Sequence, residues 1–103
     1  MIRAIYRWQV KSGEEHTFVS AWSRGTQAIR AKVKGAQGSV LLRNHCRPSE
    51  FIAIARWDSL EDWQAFSPAA MPDVEAFARL EAVSTLVSTE VGDEIQDLVD
   101  PDA

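Results

Sequence analysis

Cysteine occurs once, at Cys46, so no internal disulfide can staple the chain and an oxidising compartment is unnecessary. Histidine occurs twice, at His16 and His45. A catalytic zinc needs three protein ligands, so the adjacent His45 and Cys46 do not make a metal site, and none is expected. Long apolar runs are missing as well: Arg3 and Arg7 interrupt the first greasy stretch, which argues against a leader or a membrane span. The expectation is a cytoplasmic protein without a membrane partner. Positive charge is in deficit, with 11 Lys and Arg against 15 Asp and Glu, for a net charge of −4. Nucleic acid is therefore excluded as a partner, since binding it needs a basic footprint. The one basic cluster, Arg30, Lys32 and Lys34, lies where the first helix should end and complements the helix dipole. Glycine is sparse, and Gly35-Ala36-Gln37-Gly38 lacks both the lysine and the preceding strand of a phosphate loop. Flavin and nicotinamide thus have no sequence support, and the expected cofactor count is none.

Aromatic residues are what the chain does have: four Trp and four Phe in 103 residues. Such side chains build cores and also line apolar pockets. The stretch from Glu50 to Phe66 organises the rest. Phe51 to Trp57 reads as a largely buried strand, Asp58 stops it, and Ser59 is placed to cap a helix with Asp62 three residues on. Leu60, Trp63 and Phe66 then recur at helical spacing.

Ahead of it, Ile2 to Val10 alternates, with Ile2, Ala4, Tyr6, Trp8 and Val10 on one side and Arg3, Ile5, Arg7 and Gln9 on the other. Ser12 and Glu15 fit a capping box, followed by a helix whose stripe is Phe18, Ala21, Trp22, Gly25, Ala28 and Ile29. Gly25 inside that helix predicts close approach to a neighbouring element. Ser39 to His45 reads as a second strand, turned into the third by Cys46-Arg47-Pro48-Ser49. Pro68 and Pro72 divide the second helical region, which resumes from Val74 to about Val83. A last strand falls within Leu86 to Val99, where Gly92 could mark a bulge. Residues 1–99 form one domain, and 100–103 read as a flexible tail.

The order is βαββαβ, an α+β ferredoxin-like antiparallel sheet with its helices on one face. Both parities of the central strands are mostly apolar, so the uncovered face should meet a second copy in a homodimer.

Ile5 to Glu15, then Phe18 and Trp22, then Phe51 to Ser59 with Trp63 and Phe66 resemble the antibiotic biosynthesis monooxygenase family of dimeric α/β barrels. That resemblance implies a cofactor-independent monooxygenase acting on a small aromatic or polyketide-like compound in an apolar pocket. The alternative on the same fold is a non-catalytic small-ligand-binding or dimerisation module. In the polyketide oxygenases the strand-end tryptophan borders the cavity and matches Trp57, while the aromatic on the following helix matches Trp63. Their asparagine four residues before that tryptophan falls on Ala53, which has no hydrogen-bonding side chain. The haem-degrading branch matches less well: its first-strand asparagine falls on Tyr6, its helical tryptophan on Phe66, and the second helical region holds no histidine. The candidate substrate-binding residues are Tyr6, Arg7, Phe51, Trp57, Trp63 and His45, with no catalytic residue assigned. Trp57 and Trp63 read equally well as cavity wall and as core. Tyr6 and Arg7 have opposite parity, so only one of them can face the cavity. His45 is the candidate base, with exposure at a hairpin end as the competing reading.

Overall fold

The computed structural model describes residues 1–99; the expected tail at 100–103 lies outside them. The alternating first stretch forms β1 (Ile2–Val10), in which Ile2, Ala4 and Val10 are buried. The helix that follows, α1 (Glu15–Lys32), buries Phe18, Ala21 and Gly25 along one stripe. The Ser12 and Glu15 capping box does not form. Gly13 turns the chain at φ +84°, and the N-cap is Glu14, whose side chain makes no cap bond. Ser12 is left two residues ahead of the capping position, out of register with the amides it was expected to serve.

β2 (Ala36–Arg43) and β3 (Glu50–Trp57) form the expected antiparallel hairpin. Its turn is held by Asn44, whose Oδ1 accepts from the backbone N–H of Cys46 at 2.9 Å and of Arg47 at 3.2 Å. Beyond β3, the Ser59 hydroxyl accepts from the Asp62 N–H at 3.1 Å and starts α2 (Leu60–Ala65). A single 3-10 turn at Pro68–Ala70 leads to α3 (Val74–Val83), capped by Asp73 accepting from the Ala76 N–H at 3.0 Å. β4 (Ser84–Asp93) follows directly.

The four strands form one antiparallel sheet in the order β2-β3-β1-β4, the ferredoxin-like arrangement. Tyr6 lies opposite Ala53 and Ala4 opposite Ala55. The bulge falls not at Gly92, which pairs regularly with Arg3, but where Arg7 and Trp8 meet Ser88 and Leu86, leaving Val87 unmatched. Gly25 gives α1 its close approach to α3: a Cβ there would meet the Ala76 Cβ at 4.0 Å. A second glycine is fixed by its backbone. Gly35 has φ +85°, and a Cβ on it would lie 2.6 Å from the Asp62 Cβ, inside contact distance. Its carbonyl also accepts from the Asp58 N–H at 2.9 Å, which ties the end of α1 to the start of α2.

The core divides in two. Val10, Phe18, Phe51 and Val83 form one cluster, and Ile2, Ala4 and Trp57 form the other, with Trp63 and Phe66 packed against it. On the opposite face of the sheet no helix of the described residues packs. Val40 and Leu42 are 50% and 45% exposed there, beside Ile5, Ile52 and Ile54. Arg7 stands among them, 3.7 Å from both Glu50 and Glu90.

Candidate functional site

Small residues at the middle of both layers open a cavity of about 570 Å³. On the sheet these are Ala53 and Ala55, and on the helices Ala21, Gly25 and Ala76. Larger side chains there would join the two core clusters; in their place is an apolar hollow whose lining comes from both. All four tryptophans, Trp8, Trp22, Trp57 and Trp63, border it, with Tyr6, Ile29, Phe66, Phe77 and Leu80.

Its walls are ordered by aromatic packing. Tyr6 and Trp8 stack at 5.7 Å between ring centres with 24° between their planes, and Trp57 tilts against Phe66 at 5.6 Å. Trp57 is only 3% exposed, and it serves both of its expected roles: it belongs to the core cluster with Ile2 and Ala4, and it borders the hollow. The question of parity is answered by β1, where Tyr6 faces the helices and Arg7 the open side of the sheet.

Polar groups in the lining are few. The Trp63 indole N–H donates to the Tyr6 hydroxyl oxygen at 2.8 Å. Burial raises the Tyr6 pKa above the ordinary phenol value, and the Trp63 bond opposes that shift only in part, so at neutral pH the group is a protonated phenol. Ser39, on β2 opposite Ala55, has a buried hydroxyl without a hydrogen-bond partner among the described residues. Arg30 and Glu81 border the cavity as exposed residues. Among the described residues no cluster of three or more His, Cys, Asp or Glu could hold a metal ion. The arrangement can therefore enclose an apolar ring system and hydrogen-bond an oxygen on it, and it brings no histidine to the cavity.

Three expected site residues are not brought to this place. Arg7 pairs with two glutamates on the far face of the sheet. Phe51 is buried in the first core cluster, 5.2 Å from the Phe18 ring, one inward position beyond Ala53 toward the Val10 end. His45 is exposed in the turn between β2 and β3. Trp8, Trp22 and Ser39 were missed as lining. Ser39 carried no distinct signal: it shares the parity of Leu41 but also that of Arg43, so the row did not single out its hydroxyl.

No curated protein matches the sequence. Among solved structures, the fold is similar to SnoaB, a cofactor-independent oxygenase from Streptomyces nogalater, at 24% identity over 96% of this chain and 97% of that one, with a TM-score of 0.73. An asparagine-to-alanine mutant of the same oxygenase superposes with a TM-score of 0.74 at 23% identity, over 96% and 97% of the two chains. A Bordetella bronchiseptica protein, provisionally named an antibiotic biosynthesis monooxygenase, gives a TM-score of 0.79 at 14% identity over 92% and 97%. At these identities the likeness is one of fold. Residues 1–85 match the family described as antibiotic biosynthesis monooxygenase, and on that match, which takes in β1 through α3, the chain belongs to this family.

Proposed function

We propose that the chain is a cofactor-independent monooxygenase that binds a small aromatic or polyketide-like compound against Trp57, Trp63 and Tyr6. The observation that carries this reading is the aromatic-walled hollow itself, of a size suited to a small organic molecule and polar at only a few atoms. In such a reaction the substrate supplies the electrons. An activated CH2 group loses its two hydrogens, one oxygen atom of O2 becomes the new carbonyl, and the other leaves as water. The protein would exclude bulk water and stabilise charge on the substrate oxygen as it develops. Aerobic incubation with anthrone should consume oxygen and give anthraquinone faster than buffer alone, and an anaerobic control should give none. A rate equal to buffer, with binding intact, removes the catalytic reading.

The second reading, a binding module on the same fold, is favoured by Ala53. The asparagine of the resembling oxygenases falls on this position, and Ala53 offers the cavity only a methyl group. Haem binding is the remaining competitor, and a titration followed at the Soret band eliminates it if no saturable shift develops.

In both readings the working unit would be a homodimer joined through the open sheet face. That face mixes Ile5, Ile52, Ile54, Val40 and Leu42 with paired charges of both signs, Arg7 between Glu50 and Glu90. A two-fold axis can set arginine of one copy near glutamate of the other, which makes the surface complementary to itself.

A further inference from the structure

The Tyr6 hydroxyl is half used. As an acceptor it takes the Trp63 indole proton at 2.8 Å, and among the described residues no acceptor takes its own proton. An indole N–H can only donate, so this contact fixes the polarity of the pair: Tyr6 must point its hydrogen elsewhere. Both rings border the cavity. Ser39 Oγ is a second unfilled group, buried and without a partner among the described residues. Buried hydroxyls are rarely left so. Register places the two on different strands with β3 between them. Ser39 lies opposite Ala55, and Tyr6 lies opposite Ala53, so the methyl groups of two alanines separate them.

Resting on the reading of this hollow as a small-molecule site, we propose that Tyr6 is its specificity-determining donor, oriented by Trp63 toward an acceptor oxygen of the ligand, with Ser39 as a second polar contact beyond the alanine floor. The cavity then discriminates by oxygenation pattern rather than by ring size. A hydrocarbon of the right shape leaves the Tyr6 proton unsatisfied; a ketone or phenol satisfies it; a ligand with oxygens at two edges reaches Ser39 as well. The raised pKa of Tyr6 agrees with this role, since it keeps the phenol protonated where the ligand needs a donor.

The four cavity tryptophans provide the readout, as quenching of intrinsic fluorescence. Three probes of one skeleton are titrated anaerobically, so that anthrone is not turned over: 9,10-dihydroanthracene with no oxygen atom, anthrone with one, and 9,10-anthraquinone with two. The unsubstituted protein should bind anthrone about tenfold more tightly than dihydroanthracene, the size expected of one hydrogen bond to a buried donor. Tyr6→Phe should erase that preference through weaker anthrone binding, with dihydroanthracene little changed. Trp63→Phe, which keeps the Tyr6 hydroxyl and removes what aims it, should reduce the preference without erasing it. Ser39→Ala should erase only the further gain of anthraquinone over anthrone. Circular dichroism of each variant confirms that it is folded. Equal affinity for anthrone and dihydroanthracene in the unsubstituted protein, or a preference that survives Tyr6→Phe, overturns the donor role and leaves the small-molecule site standing. An anthraquinone gain that survives Ser39→Ala overturns the second contact. If none of the three probes quenches, the site itself fails and the specificity claim fails with it.

Discussion

The indole N–H of Trp63 and the hydroxyl oxygen of Tyr6 meet at 2.8 Å, joining α2 to β1 across residues 57 positions apart in sequence. This bond is one of the few polar links between the helical layer and the sheet at the cavity, and Tyr6 is the only tyrosine in the chain. Its ionisation can therefore be followed by absorbance without ambiguity. The folded protein should titrate above the unfolded chain, which ionises near the ordinary value of about 10. The sign for stability follows. Above about pH 10 the unfolded state has released the phenol proton while the folded state still holds it, so stability falls as pH rises through that window. A single transition at the same pH with and without denaturant would contradict the burial of Tyr6.

Ser59 caps α2, and α2 carries Trp63. Ser59→Ala should cost about 1 kcal/mol, the usual loss for a hydroxyl cap. Urea unfolding followed by circular dichroism gives the number. Anthrone binding should weaken as well, since a frayed α2 no longer holds the indole against Tyr6; binding unchanged alongside lost stability would separate the cap from the site.

Ala53 is 1% exposed and forms part of the cavity floor. Ala53→Leu adds three carbons to the floor between Tyr6 and Leu41, so the hollow should be obstructed at some cost in stability. Fluorescence quenching by anthrone should drop at least about tenfold, with circular dichroism showing the variant still folded. If binding is retained, the ligand lies somewhere other than on this floor.

The open face of the sheet gives a prediction about mass. Light scattering at micromolar concentration should report twice the chain mass of 11.5 kDa. Ile54→Glu, whose side chain stands on that face and away from the cavity, should return a folded monomer. A monomer before substitution refutes the pairing outright.

Much of this architecture was legible before any coordinates. The βαββαβ order, the hairpin turned at Cys46 to Ser49, the cap at Ser59 and the division of the second helical region at Pro68 and Pro72 all rest on local chemistry that survives into the fold, although β2 ends at Arg43 and the turn begins earlier, at Asn44. The S-x-x-E pattern at Ser12 failed because a positive-φ glycine intervened, and a pattern of residue types does not encode that turn. Arg7 and Tyr6 were separable in parity but not in direction. Direction depends on which side the helices choose, and the large apolar residues Ile2 and Val10 at the two ends of β1 decide it with Tyr6. The cavity was the least legible feature. Ala53, Ala55, Gly25 and Ala76 matter for volume they do not occupy, and missing volume has meaning only after the neighbours are in place.

Gly35 touches nothing in the hollow, yet it stands against Asp62, one residue before Trp63. Any side chain at position 35 would have to push the first turn of α2 outward, and the indole would travel with it. The aperture of the hollow is thus set from outside by a tight backbone corner, so if the hollow takes a ligand as proposed, its preference can be altered at a residue outside the lining.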